Sequence, residues 1–239
     1  MDGIILAGGK GTRMRPLTLT TPKPLLAVQG RPILEWSLLG LRPMVDHVLI
    51  VVNYLKQQIA DYMARQTIFE RYTLVEQSPE PLGTGHALLC CRPHLQSKDF
   101  LVHNGDDLFG SLALQRLAKR PLGILTMPRE DQSNWAVALV NDRGALVRLH
   151  EKPQDGTYPT PVQANIGAYK LDTRIFDYDL PLSARGEYEL PDYITYLAGR
   201  YRVDMVEADF WFPIGDPAQL AAAQSLKLET DMLGLGVPF

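Results

Sequence analysis

The feature that most constrains this chain lies at its very start, where an apolar run over residues 2–6 is broken at once by Ala7-Gly8-Gly9-Lys10-Gly11-Thr12-Arg13. Such a run suits a buried strand, and three glycines within four positions let backbone N–H groups come close to an anion. Arg13 and, further on, Lys23 add positive charge beside those amide donors, an arrangement that attracts phosphate oxygens. Glycine also marks ordinary turns, so the loop taken alone leaves a plain turn with solvated cations as the alternative. Neither common glycine fingerprint fits. A dinucleotide loop needs a helix beginning inside it, and a P-loop needs Gly-Lys followed directly by Ser or Thr, whereas Lys10 is followed by Gly11. A different kind of phosphate binder is implied.

Beyond the loop, apolar runs at 2–6, 47–52, 72–76, 100–104 and 123–127 predict strands, and the segments 33–41, 56–66, 85–91 and 112–119 between them carry helical periodicity. Alternation of this kind predicts an α/β fold: a Rossmann-like three-layer α/β/α arrangement around a mostly parallel, mixed central sheet. Ligands of such sheets bind beyond the carboxyl ends of the strands, where the Gly8 loop and Asp106 both fall. After Arg129 the pattern shifts to shorter strands at 135–140, 146–151 and 163–170, then a Pro- and Tyr-rich stretch, then one Ala-rich helix predicted over 217–231. Asn141-Asp142-Arg143-Gly144 reads as a hairpin turn. With no linker, repeat or low-complexity segment in sight, one domain over 1–239 is expected, with a first part to about 128 and a substrate-facing second part from about 129.

A hydrophobic content of 46% over 239 residues is ample for a packed core. The net charge of −3 gives no footprint for nucleic acid, and no apolar run reaches the length of a membrane span. A secretory leader pattern is absent from the first residues, so a cytoplasmic location is expected. Cys90 and Cys91 are adjacent and too few for a disulfide framework or zinc site, and none of the five histidines has metal-ligand spacing; all are read as structural, with His86 close to a motif.

The segment LAGGKGTRMRPLTLTTPKPLL resembles the signature of the sugar-1-phosphate nucleotidyltransferases, and the resemblance recurs at Gln77 with Gly83-Thr84, Asn104-Gly105-Asp106, Glu151-Lys152-Pro153, Asn165-Ile166-Gly167 and Trp211. It covers nearly the whole chain. It implies an enzyme that joins a nucleoside triphosphate to a sugar 1-phosphate, with Mg²⁺ as cofactor. The sugar phosphate oxygen is ionised at neutral pH, so no Ser, Cys or His nucleophile is needed; the protein has to hold two repelling anions together and stabilise charge on the phosphoryl oxygens.

Roles follow from the resemblance residue by residue. Leu6, Ala7, Gly8 and Gly9 would face the nucleotide, Gly11 and Thr12 the triphosphate, Arg13 the leaving pyrophosphate and Lys23 the α-phosphate, the last two as the catalytic cations. Gln77 would contact the base, with Gly83 and Thr84 completing the nucleotide set; a Gln on its own is more often an exposed side chain. Asp106, after an apolar strand, would hold Mg²⁺, a hard cation that takes one or two carboxylates plus phosphate oxygens; Asp107 would point elsewhere by strand alternation. Glu151 would accept from sugar hydroxyls and Lys152 neutralise the sugar phosphate, although a Glu-Lys pair at a strand end is commonly just exposed charge. Ala136, Asn165 and Gly167 complete the sugar-phosphate set, with Glu189 as a further candidate.

Two departures stand out. Trp135-Ala136 replaces the family's Tyr-Gly against the sugar, and Trp211-Phe212-Pro213-Ile214-Gly215 carries Pro213 where relatives have a second metal-binding Asp. Asp209 and Asp216 are nearby carboxylates; Asp216, followed by Pro217, is predicted as a helix N-cap. Pro213 keeps open a non-catalytic relative that senses a nucleotide sugar, and the loop is shared by cytidylyltransferases acting on non-sugar phosphates. The retained Arg13, Lys23, Asp106 and Lys152 favour catalysis, and the Glu151 and Asn165 motifs favour a sugar. Base and sugar identity stay open, a second acyltransferase activity is not expected, and a homo-oligomer is compatible with the sequence.

Overall fold

A computed structural model describes residues 1–183 and 185–234. Along the chain run β1 (Asp2–Leu6), β2 (Ala27–Val28), β3 (Arg31–Pro32), helix α1 (Ile33–Leu41), β4 (His47–Val52), α2 (Lys56–Met63), β5 (Tyr72–Glu76), α3 (Gly83–Cys91), β6 (Asp99–Asn104), β7 (Asp107–Phe109) and α4 (Ser111–Ala118). The second half holds β8 (Gly123–Arg129), β9 (Ala136–Val140), β10 (Leu146–Glu151), β11 (Val162–Asp172), α5 (Leu190–Ala198), β12 (Asp204–Glu207), β13 (Trp211–Pro213), α6 (Pro217–Ala223) and α7 (Leu228–Asp231). The sheet is mixed. β6, β1, β4 and β5 lie parallel side by side, and β11 joins antiparallel to β6, carrying β8 and the β9–β10 hairpin with it. Strands from both halves of the chain therefore form one hydrogen-bonded sheet.

Two cores cover its two faces, which makes the three layers. Ile4, Leu49, Val51, Phe100 and Val102 pack on one side against Leu88 of α3 and Tyr193 and Ile194 of α5. Ile5, Val48, Ile50 and Leu101 pack on the other against Leu34 and Leu38 of α1, Ile59 of α2 and Leu114 of α4. Successive residues of β1 alternate between these cores, as the period-two geometry of a strand requires. A third, smaller core of Met14, Trp36, Leu108 and Ile214 ties the glycine loop to β7 and β13.

Several bounds differ from the sequence reading. The predicted C-terminal helix is two pieces, α6 and α7, and Gln29 Nε2 donates to the carbonyls of Ala223 (3.1 Å) and Leu226 (2.6 Å) at the break between them, where helix-end acceptors need outside partners. Helix α5 sits in the stretch read only as Pro- and Tyr-rich, with its proline in the first turn, where the missing N–H costs nothing. Asp216 does cap α6: its Oδ1 accepts from the Gln219 amide at 2.9 Å. Among the described residues no helix is long and apolar enough to cross a membrane.

Candidate functional site

The carboxyl ends of β1, β4, β5 and β6 are stitched together by backbone bonds: Ala7 N–H donates to Val51 O (3.0 Å), Gln77 to Val52 O (2.9 Å) and Gly105 to Leu6 O (2.9 Å). A Cβ on Gly105 would stand 2.8 Å from Leu6 O, so only glycine allows this approach. After β1 the chain turns through Gly11, at φ +57°, into a short 3₁₀ turn, Thr12–Met14, anchored by the fully buried Met14. Thr18 Oγ1 donates to Gly11 O at 2.8 Å and ties the turn to the segment that follows it.

The result is a cavity of about 440 Å³. Leu6, Ala7, Gly8, Gly9, Gly11, Thr12, Arg13, Lys23, Gln77, Gly83, Thr84 and Asp106 all line it, so every residue that the sequence assigns to the nucleotide, together with the metal candidate, meets here. Lys23 is buried, and its Nζ lies 2.6 Å from Asp106 Oδ2. Asp106 itself is half-buried at the cavity mouth. No group of three or more His, Cys, Asp or Glu among the described residues could hold a metal by itself. Asp209, one alternative ligand, is instead paired with Arg116 at 3.0 Å on the surface.

A second cavity of about 210 Å³ adjoins the first and is lined by Ala136, Glu151, Asn165, Gly167 and Glu189, with Trp135, Trp211 and Tyr169 among its walls. Thr84 and Asn104 line both cavities, so the two meet there. Gly167, at φ +80°, marks the point where β11 shifts register between its β8 partner and β6, and a Cβ there would stand 2.2 Å from Asn104 Nδ2. Asn165 Nδ2 donates to the Tyr169 hydroxyl at 2.8 Å. The indoles of Trp135 and Trp211 meet edge-on, 5.2 Å apart, with the Arg129 guanidinium over both rings. Lys152 is outside both linings: it is exposed, at φ +43°, its amide donating to Trp135 O.

Some lining residues lay beyond the sequence reading. Asp107, expected to point elsewhere than Asp106, is buried in the wall of the smaller cavity; burial and then the Asp106 charge push its pKa well up. Strand alternation did predict the divergence, and the register of β7 against β13, which puts Pro213 opposite Asp107, decides where it ends. Glu187 lines the larger cavity, from a segment that packs on α3: Gly85 N–H donates to Tyr188 O (2.7 Å) and Tyr188 N–H to Leu82 O (2.8 Å). Gly83, at φ +91°, has Tyr188 O only 2.6 Å from where its Cβ would be, so packing by itself already demands glycine. Thr84 Oγ1 accepts from the Leu190 amide at 3.1 Å, capping α5 where Glu189 does not. Behind the site, fully buried His103 donates from Nδ1 to Asn104 O at 2.7 Å, and desolvation pushes its pKa down to about 4, so the ring is neutral.

A model of the nucleotidyl transferase family matches residues 2–230. The bifunctional protein GlmU of Methanocaldococcus jannaschii is 32% identical over 240 residues, 98% of this chain and 57% of that protein, so this chain spans little more than half the relative's length. A glucose-1-phosphate thymidylyltransferase of Streptomyces griseus is 29% identical, covering 96% of this chain and 67% of its own. Among solved structures, a UDP-glucose pyrophosphorylase from Acinetobacter baumanii shares the fold with a TM-score of 0.79, at 22% identity, over 98% of this chain and 95% of that one. With a family match over nearly all of its length and the family's glycine loop lining a cavity at the ends of its parallel strands, this chain belongs to the nucleotidyl transferases.

Proposed function

We propose that the protein transfers a nucleotidyl group from a nucleoside triphosphate to a sugar 1-phosphate, releasing pyrophosphate. The observation that carries this reading is the junction of the two cavities at Thr84 and Asn104, with Lys23 and Asp106 on the larger side of it. A triphosphate in the larger cavity and a sugar phosphate in the smaller would bring two anions edge to edge. The sugar phosphate oxygen then attacks the α-phosphorus, the bond to the bridging oxygen of pyrophosphate breaks in line, and pyrophosphate leaves with the electron pair.

In this reading the glycine loop offers N–H groups to the phosphates, Arg13 neutralises the departing pyrophosphate, and Lys23 faces the α-phosphoryl oxygens once substrate competes for its ion pair with Asp106. The donor set suits Mg²⁺: the Asp106 carboxylate at the mouth of a phosphate cavity matches a cation that takes one or two carboxylates and fills its shell with phosphate oxygens and water. Asp106 would hold that ion, which supplies charge neutralisation on the phosphoryl oxygens when bound. In the smaller cavity Glu151, Asn165 and Glu189 offer acceptors and donors to sugar hydroxyls, and Trp135 and Trp211 supply an apolar wall.

A pyrophosphate-release screen of UTP, dTTP, CTP, GTP and ATP against a panel of sugar 1-phosphates with Mg²⁺ tests the proposal. The expected result is release with at least one pair and none when either substrate is omitted. No release from any pair, with both substrates still binding, would instead favour the non-catalytic reading that Pro213 keeps open.

A further inference from the structure

Gln77 is only 4% exposed, yet its side chain lines the larger cavity. One of its terminal atoms stands 2.8 Å from the carbonyl oxygen of Gly83. A carbonyl can only accept, so that atom is the amide nitrogen, Nε2. The same nitrogen is 3.3 Å from Nδ1 of His86. Both amide hydrogens thus turn into the protein, and the imidazole has to accept at Nδ1 and carry its proton on Nε2. That Nε2 faces the sulfur of Cys90, a weak acceptor, at 3.7 Å. Desolvation lowers the pKa of half-buried His86 and keeps the ring in the neutral form that this requires.

The amide oxygen of Gln77 is left on the other side, toward the glycine loop, where a Cβ on Gly8 would be 3.2 Å from it. Among the described residues this oxygen accepts from no protein donor, and Gly8 and Gly9, two residues that line the same cavity, have backbone N–H groups that donate to no protein acceptor. The cavity therefore offers a bare acceptor close to bare donors.

We infer that His86 is a positioning residue that holds the Gln77 amide with its oxygen toward the nucleotide, so that the site selects a base with a ring N–H donor over cytosine and adenine. The inference rests on the larger cavity being the nucleotide site. Uracil and thymine present a ring N–H flanked by carbonyl oxygens, and guanine a ring N–H beside one, each complementary to an acceptor next to backbone donors. Cytosine and adenine present a lone pair at the corresponding ring nitrogen, which would face the lone pairs of the glutamine oxygen. A site built to accept a hydrogen bond discriminates strongly against a base that cannot supply it, because its own polar group is then left unpaired.

The test is titration calorimetry of the full chain with UTP, dTTP, GTP, CTP and ATP in Mg²⁺, for the wild type, His86→Phe and His86→Asn. Wild type should bind its best ring-N–H base at least about tenfold more tightly than CTP or ATP. His86→Phe keeps a ring but loses the acceptor, and should bring that ratio within about threefold while binding of inorganic pyrophosphate stays put. Asn offers an oxygen near the Nδ1 position and should restore the ratio. As a measurement that needs no variant, 3-methyluridine or 1-methylguanosine triphosphate should bind wild type at least about tenfold more weakly than its parent. Equal binding of the methylated analogue, best binding of CTP or ATP, or an unchanged ratio in His86→Phe overturns the inference. Failure of wild type to bind any triphosphate overturns instead the proposed function beneath it.

Discussion

The larger cavity lies at the ends of four parallel strands tied to one another by main-chain hydrogen bonds, and ten of its twenty lining residues come from one stretch, Leu6 to Pro24, which carries the glycine loop. The smaller cavity draws on residues of β9, β10 and β11 in the antiparallel half of the sheet, together with residues of α3, α5, β6, β7 and β13 that lie far apart in the chain. Phosphate is the same in every nucleotide, so a fixed backbone cradle serves it, and the cradle can be written in a short local motif. Sugars differ in the placement of their hydroxyls, and side chains on separate strands can change one at a time without disturbing the cradle. The comparison places tolerance in the exchangeable side chains of the smaller cavity and intolerance in the phosphate cradle of the larger, with Gly167 the exception in the smaller because a Cβ there meets Asn104.

The largest effect is expected of Asp106→Asn, in the larger cavity. Removing the charge while keeping the size is expected to lower kcat on the order of 100-fold or more, about 3 kcal/mol, with the fold retained by circular dichroism. Full activity at ordinary Mg²⁺ would mean that the metal sits elsewhere. Next in size, Gly167→Ala should destabilise by about 3 kcal/mol, since a Cβ there combines a left-handed backbone with a clash against Asn104, whereas Gly9→Ala, with nothing within 4 Å of its Cβ, should leave the melting temperature alone and weaken only triphosphate binding. A Gly9→Ala protein that binds triphosphate normally would remove the backbone from the account of phosphate binding.

Lys23→Ala and Lys152→Ala sharpen the contrast between buried and exposed cations. Lys23 is buried against Asp106 and its loss should cost turnover about 1.5 to 3 kcal/mol, while exposed Lys152 should raise the KM for sugar phosphate by no more than about tenfold. Equal effects of both on triphosphate affinity would contradict the division. The smallest effect is expected from Asp216→Ala: a loss of about 1 kcal/mol of stability for the missing cap on α6, seen as a lower melting temperature, with the Mg²⁺ dependence unchanged. A normal melting temperature with a raised Mg²⁺ requirement would make Asp216 the ligand that Pro213 displaced.

The same contrast explains what could be read from the sequence. β1, β4, β5, β10 and α1 have the bounds their apolar runs predict, because Gly, Pro and charged residues punctuate them locally. The break between α6 and α7 escaped because the partner that serves its carbonyls, Gln29, is almost two hundred residues away in the chain. α5 escaped because two features that favour it, Pro191 in its first turn and the Thr84 hydroxyl capping it, are respectively ambiguous and nonlocal. At the site, the glycine loop announced itself through composition, whereas Asp107 in the cavity wall and the link from Gln77 to His86 depend on strand register and on which atom of an amide faces inward. Lys152 shows the converse: its motif is legible, yet a left-handed backbone carries the side chain outside both linings.

In the proposed reaction the two substrates lie edge to edge and react directly, with no covalent nucleotidyl-enzyme between them. The stereochemical course at the α-phosphorus tests it most directly, using the Sp α-thio analogue of whichever triphosphate the screen selects and the matching sugar 1-phosphate. A single in-line displacement gives inverted configuration in the nucleotide-sugar product, and that is the expected result. Retention would require two displacements, hence a nucleophile on the protein that none of the residues assigned here supplies, and would contradict the account.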